Sequence, residues 1–237
     1  MKVETKEHID METMQENILN NYFQLKQQIP ENVTIIAVSK FHSIEKIKTL
    51  YDAGHRDFGE NYVQEIKDKY EHLPKDIRWH FIGHLQTNKI KYIAPFIHLI
   101  HSVDSLKLLK EINKEGKKHQ RIINCLLQIH IAKEETKFGL SFEEAEELLH
   151  SQELSDFQNV KILGLMGMAT FTDNIQQIES EFTSIKVFFD KIKQDIRCPI
   201  LDPKILSIGM TNDYKIAIAH GSNMIRIGTL IFGERNN

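Results

Sequence analysis

Two periodicities alternate along the chain. Between 9 and 28, Met11, Met14, Ile18, Leu19, Tyr22 and Leu25 recur at steps of three and four, which predicts a helix with one apolar stripe that must lie on something. After Pro30 the period changes to two: 33–40 reads VTIIAVSK, with Ile36, Val38 and Lys40 on one face and Ile35, Ala37 and Ser39 on the other. Both faces stay apolar until the last residues, the pattern of a strand buried on both sides.

The same change of period then repeats. A helix over 44–52 ends at Ala53-Gly54, a short strand over 56–58 leads through Gly59-Glu60-Asn61 into a helix to about 70, and a strand over 78–82 precedes Gly83-His84 and a helix from about 87. A strand over 96–100 is followed by His101-Ser102-Val103-Asp104 as a loop and a helix through 112; a strand over 122–131 by a loop and a helix over 142–149 with acids near its start. The last units are a strand over 160–166 with a helix over 175–193, a strand over 205–208 with a helix over 213–219, and a strand over 224–227 running into Gly228-Thr229.

Eight strand-then-helix units with short connections predict a (β/α)8 barrel of the TIM type carrying an extra N-terminal helix, with 1–237 as a single domain. The competing doubly wound sheet usually has fewer strands and a glycine-rich turn after the first. Here that turn is Lys40-Phe41-His42-Ser43, without G-x-G-x-x-G. The segment GHLQTNK at 83–89 lacks the second glycine and the K-[ST] pair of a phosphate-binding loop.

Composition narrows the function. With 41% hydrophobic residues, 27% charged residues and a net charge of -3, the chain is a globular protein with no bias toward polyanions, so no nucleic-acid partner is expected. The polar, acid-bearing start resembles neither a signal nor a transit peptide, and no apolar run approaches the roughly 20 residues that span a bilayer. The two cysteines, Cys125 and Cys198, form no C-x-x-C pair. A cytoplasmic protein without a membrane partner is expected.

In such a barrel the chemistry sits at the carboxyl ends of the strands. Those positions are Lys40, Asn61, His84, Ser102, Lys137, Thr170, the run Ser207 to Thr211, and Arg226 to Thr229. Lys40, at the edge of a low-dielectric interior, is placed to act as a nucleophilic amine toward an aldehyde; equally, it can simply mark where the strand meets water. Small polar residues beside glycines after strands seven and eight suit a phosphate, although Ser207 to Thr211 also reads as a strand end with a helix cap. A phosphate there and an aldehyde-seeking lysine on the adjacent first strand together suggest pyridoxal phosphate, with Arg226 facing its pyridine nitrogen or, alternatively, serving as a structural ion-pair partner. His80, His84, His98, His101 and His130 match no compact metal-ligand spacing and read as packing and hydrogen-bonding residues, with His84 a candidate pocket residue. No metal is expected.

Longer stretches are similar to one family. AVSK at 37–40, FGENYVQE at 58–65, WHFIGHLQTNK at 79–89, HSVDS at 101–105, EETKFG at 134–139, GLMGM at 164–168 and LSIGMTNDYKIAIAHGSNMIRIGTLIFG at 206–233 resemble the YggS/PROSC family of pyridoxal phosphate homeostasis proteins, in order and spacing from about residue 9 to residue 234. The resemblance implies the barrel domain of bacterial alanine racemases standing alone, with pyridoxal 5'-phosphate held as a Schiff base on Lys40. It places Ser207, Gly228 and Thr229 at the phosphate with Met210 and Thr211 beside them, Arg226 near the pyridine nitrogen and Asn61 near the ring. The chain departs from the family's usual S-M-G-M-S at Ile208 and Thr211, and from its usual G-S-T at Asn223.

The resemblance implies a cofactor carrier rather than an enzyme, with pyridoxal phosphate and, as recipients, apo-enzymes that use it as partners, and a monomer is expected. The alternative is an amino-acid racemase with weak, lysine-only activity. Racemases use a second acid/base group, a tyrosine from a β domain that this sequence is not expected to supply, and an arginine at the pyridine nitrogen weakens the ring as an electron sink. A barrel hydrolase or aldolase would need paired carboxylates at the mouth, for which Glu60 is the candidate.

Overall fold

The computed structural model describes residues 6–136 and 138–234, so Lys137 lies outside the described residues. Eight parallel strands close into a barrel in chain order: β1 (Thr34–Val38), β2 (Asp57–Glu60), β3 (Arg78–Phe81), β4 (Leu99–Val103), β5 (Ile123–Ile129), β6 (Val160–Gly167), β7 (Leu201–Ser207) and β8 (Met224–Ile227). The helices are α1 (Lys6–Gln28), α2 (Ile44–Asp52), α3 (Val63–His72), α4 (Ile90–Ile93, entered through a 3-10 turn at Thr87–Lys89), α5 (Leu106–Lys118), α6 (Phe142–Leu149), α7 (Ile175–Asp195), α8 (Tyr214–Ala219) and α9 (Thr229–Phe232). None of the helices is long and apolar enough to cross a membrane among the described residues.

Strand parity divides the core in two. Ile35, Ala37, Phe58, Trp79, Phe81, Ile225 and Ile227 pack outward with the helices in one large apolar layer. Inside the barrel a smaller group, Ile36, Leu99, Leu126, Leu163, Met166 and Met224, fills the space left by the tilted strands. The rest of the interior is polar and belongs to the site below.

Register slips in β4–β5, β5–β6 and β6–β7. At the last of these Gly164 takes φ +147°, and a Cβ there would stand 1.8 Å from the Ile205 carbonyl oxygen, so glycine is what lets β6 and β7 close on each other. The β7–β8 join is thin: its ladder has Ser207 opposite Met224 and no other register pair. Side chains reinforce the two peptide bonds from Asn223 N–H to the Leu206 carbonyl at 3.3 Å and from Arg226 N–H to the Gly209 carbonyl at 3.0 Å. Asn223 accepts from Leu206 N–H at 2.8 Å and donates to the Lys204 carbonyl at 2.7 Å, while the Ser222 hydroxyl reaches the Ile208 carbonyl at 2.6 Å.

Helix α1 crosses the outside of α2 and α9, with Ile18, Tyr22 and Leu25 buried at steps of four and three. Met11, expected in that stripe, is exposed. The helix is fastened by Asn21 Nδ2 donating to the Ile231 carbonyl at 3.3 Å and by Tyr22 Oη meeting His55 Nδ1 at 3.2 Å. His55 Nε2 lies 2.7 Å from the Asp57 carbonyl oxygen, so a neutral ring donates there and accepts from the tyrosine.

Burial holds His55 down to about 4. The unfolded chain therefore binds a proton that the folded chain refuses, and this contribution is full above the ordinary value of about 6.5 and is lost as pH falls from there toward 4. Urea denaturation of the wild type and of His55→Gln at pH 7 and pH 5 should show the wild type losing about 2 kcal/mol more than the variant. Equal losses would mean that His55 does not titrate on unfolding.

Several sequence expectations shift, among them the second strand, which runs over Asp57–Glu60 rather than 56–58. The fourth strand runs over Leu99–Val103 rather than 96–100, because His101 finds buried partners and the strand continues where a polar His-Ser pair reads as a loop; Ser102 is accordingly buried in β4 and not at the mouth. The seventh strand begins at Leu201, since the bulge at Gly164 recruits a half-exposed polar segment into the ladder. The four-residue α9 after β8 is too short to show a period.

Candidate functional site

At the carboxyl ends of the strands a cavity of about 770 Å3 opens, lined by Lys40, Asn61, Met210, Thr211, Arg226, Gly228 and Thr229 together with Val38, His42, Ile82 and the Met168 to Asp173 segment. Seven of the eight residues expected at a cofactor therefore border one space. Ser207 does not. It is the last residue of β7, fully buried, with its hydroxyl inside the barrel 2.7 Å from Arg226 Nη1 and 3.0 Å from His101 Nδ1. Because the strand ends one residue earlier than expected, the side chains open to the cavity beyond β7 start at Met210 and Thr211.

Lys40 sits just past β1 on the face that Ile36 and Val38 begin. The next residue, Phe41, is left-handed at φ 64°, a conformation that a bulky side chain adopts only when its surroundings enforce it. Here Phe41 N–H donates to Glu65 Oε1 at 2.5 Å and His42 N–H to the Ser39 carbonyl at 3.0 Å. Behind the turn the buried Lys69 ammonium donates to the Ser39 carbonyl at 2.7 Å, to Glu60 at 2.6 Å and to Glu65 at 2.7 Å.

Glu60, the carboxylate considered for the mouth, thus faces the packing between β2 and α3. Burial pushes it up to about 7 against the opposing pull of Lys69. No paired carboxylates of the kind a hydrolase needs arise from it. Sequence reading passed over Lys69, whose sign is a lysine four residues after Glu65 on a helix face that must pack against the sheet.

Arg226 is inward on β8 and 3% exposed. Nη1 donates to the Ser207 carbonyl at 2.8 Å and Nη2 to the Gly167 carbonyl at 3.0 Å, and burial lowers its pKa to about 10, with Asp213 acting in the other direction. Asn61, after β2, lines the cavity with a buried Oδ1 that has no hydrogen-bond partner among the described residues. Its backbone is held by Gly83, where a Cβ would fall 2.3 Å from the Asn61 carbonyl oxygen. An unpartnered acceptor, a buried guanidinium and an amine around one cavity are suited to a planar, anionic, aldehyde-bearing ligand.

The far wall includes Thr170, expected at the mouth, but the way it is held was not foreseen. Thr170 is fixed by Glu181 of α7, which accepts from both its N–H and its hydroxyl, and Phe171 N–H donates to Glu134 at 2.9 Å. His84 does not border this cavity: it stacks on Phe138 with ring centroids 4.0 Å apart and lines a shallow depression beside Asp104. His80 and His101 are buried, hydrogen-bonded core residues, and His130 bonds the Ala132 carbonyl at 2.8 Å. Asp57, His80 and His98 come close enough to share a metal ion, but Arg78 already holds both Asp57 oxygens and both His80 nitrogens are engaged.

Residues 14–236 match the family described as alanine racemase, N-terminal domain. The pyridoxal phosphate homeostasis protein of Helicobacter pylori is 42% identical over 206 residues, covering 85% of this chain and 88% of its own. That of Escherichia coli K12 is 37% identical over 212 residues, covering 87% and 88%. The structure of PipY from Synechococcus elongatus with pyridoxal phosphate bound superposes with a TM-score of 0.83 at 34% identity, covering 91% of this chain and 100% of that one. An alanine racemase from Clostridium difficile, 14% identical with a TM-score of 0.71 over 94% of this chain and 58% of its own, shares the fold.

Proposed function

The chain belongs to the family of pyridoxal phosphate homeostasis proteins, and we propose that its mouth cavity binds pyridoxal 5'-phosphate covalently on Lys40 and that the chain stores and hands on the cofactor rather than turning over amino acids. The observation that carries this reading is the convergence of Lys40, Asn61, Arg226, Thr211 and Thr229 on one cavity. The PipY relative with pyridoxal phosphate bound supports the choice of ligand. In this reading residues 1–237 act as one binding unit, as a monomer in the cytoplasm, with apo-enzymes as recipients.

Bound there, the cofactor supplies an electrophilic aldehyde and an electron-withdrawing ring. Lys40 would supply the amine that holds the aldehyde, with water as the leaving product. Asn61, on the cavity wall after β2, would hold the edge of the ring. The backbone around Gly228, with the Thr211 and Thr229 hydroxyls, takes the phosphate. Arg226 presents positive charge to the ring nitrogen, which keeps a proton off it and limits the ring's capacity to accept electrons, so a carrier is favoured over a racemase.

Titration of Thr211→Ala and Thr229→Ala with pyridoxal phosphate and with unphosphorylated pyridoxal tests the assignment. Each lost hydroxyl bond to the phosphate is expected to weaken pyridoxal phosphate about tenfold to a hundredfold and pyridoxal hardly at all. Equal weakening of both ligands would remove these residues from the phosphate site. In the same series the loaded wild type, given L-alanine, should form the opposite enantiomer far more slowly than about one turnover per second, the lower end of ordinary enzyme rates; turnover at that rate would restore the racemase alternative.

A further inference from the structure

A continuous line of polar side chains runs through the barrel interior, from the amino-terminal floor to the mouth. Asp57 and Arg78 open β2 and β3 opposite each other. Arg78 grips Asp57 with Nε to Oδ1 at 2.8 Å and Nη2 to Oδ2 at 2.6 Å. His80 Nε2 is 2.9 Å from Asp57 Oδ1, and His80 Nδ1 is 2.9 Å from His101 Nε2. His101 Nδ1 is 3.0 Å from Ser207 Oγ, which is 2.7 Å from Arg226 Nη1. His80, His101 and Ser207 are fully buried.

Proton counting fixes the direction of this line. Arg78 holds Asp57 ionised, well below the usual carboxylate range, so the carboxylate only accepts and His80 must carry its proton on Nε2. Burial keeps both imidazoles below their ordinary value, with the charge of Arg226 adding at His101, so each ring is neutral and has one donor and one acceptor. His80 Nδ1 is then a lone pair and needs His101 Nε2–H. His101 Nδ1 is a lone pair in turn and needs the Ser207 hydroxyl proton. The Ser207 oxygen is left to accept from Arg226. One arrangement satisfies every atom, with all donors pointing toward Asp57.

We propose that Arg226, Ser207, His101, His80 and Asp57 form a directed hydrogen-bond relay through which a carboxylate on the barrel floor orients and compensates the guanidinium at the mouth. The inference rests on the reading of Arg226 as the cofactor's ring partner. A buried guanidinium is costly to keep charged, and Asp213, the acid that acts on it directly, already accepts from the Met210 N–H, while the guanidinium donates to two carbonyls and the Ser207 hydroxyl. The relay supplies a second negative end at a distance. Each link polarises the next, so that the Ser207 oxygen becomes a stronger acceptor and the guanidinium is held in one pose. Asp57, His80 and His101 are thereby positioning residues that never meet the ligand.

The decisive measurement is nitrogen-15 NMR of histidine-labelled, ligand-free protein: His80 and His101 should both be neutral with the proton on Nε2. An imidazolium at either ring, or a proton on Nδ1 of either, overturns the relay. Asp57→Asn removes the charge and allows the amide to donate, so that the ring tautomers should reverse or mix. Ser207→Ala cuts the line beside Arg226. In both variants pyridoxal phosphate and pyridoxal should weaken alike, by about tenfold for one charge-assisted bond, because the relay acts at the ring and not at the phosphate. Unchanged affinities in both variants overturn the proposal. Should the wild type take up no pyridoxal phosphate at all, the functional reading fails, while the histidine tautomers still decide the relay; should a variant fail to fold, the wild-type spectrum decides it alone.

Discussion

Lys40→Ala is expected to abolish the visible absorbance band that wild-type protein develops with pyridoxal phosphate, together with the borohydride-reducible label on the chain. Lys40 lies beyond the last inward residue of β1 and borders the same cavity as Arg226 and Thr229, so among the described residues its amine is the one placed to reach an aldehyde whose ring and phosphate meet those residues. The variant keeps the ring and phosphate contacts. Weak, noncovalent retention should therefore persist, with the spectrum of the free aldehyde. Peptide mass analysis after reduction provides the check: a full-strength label on another lysine in the variant would show that Lys40 is not the attachment point.

The second large effect is on stability. Gly164→Ala forces a side chain onto a backbone at φ +147° and brings the new carbon to 1.8 Å from the Ile205 carbonyl oxygen. The strained conformation alone costs on the order of 1 to 3 kcal/mol. The clash cannot be relieved by rotating a side chain, because the opposing atom is main chain in the neighbouring strand. Separation of β6 from β7 must follow, with a total loss of about 4 kcal/mol, a large share of the 5 to 15 kcal/mol that holds a domain together. An unfolding free energy from urea titration within about 1 kcal/mol of the wild type would mean that the bulge is not as tight as the geometry states.

The architecture was readable in the sequence because the strands are buried on both faces: apolar runs such as Ile35 to Val38 and Ile162 to Met166, each followed by glycine or small polar residues, mark the barrel. Where the interior turns polar the same reasoning misplaces residues. His101 and Ser102 look like a loop, yet His101 is an inward residue of β4 because its partners come from β3 and β7, strands remote in sequence. The same remoteness hides the role of Ser207, which local context assigns to a phosphate and the fold assigns to Arg226. That Lys40, Asn61 and Arg226 would reach one cavity was legible, since each is a polar residue ending or interrupting a buried strand. Of the wall from Met168 to Asp173 only Thr170 was expected at the mouth; its fixing was not legible, because Glu181 of α7 reaches back to it from a remote part of the chain.

Asn223 has a consequence for how the barrel stays shut. Around the rest of the circle, closure is generic: peptide groups pair with peptide groups whatever side chains they carry. Between β7 and β8 it is partly specific, since an amide at 223 and a hydroxyl at 222 add to two peptide bonds, Asn223 N–H to the Leu206 carbonyl and Arg226 N–H to the Gly209 carbonyl. The cylinder is thus a ribbon fastened by a clasp, and the clasp sits on the strands that lead to Thr211 and Thr229. Whatever loosens it widens the mouth from the phosphate side while the lysine side, on β1, stays moored to β8 by four consecutive register pairs.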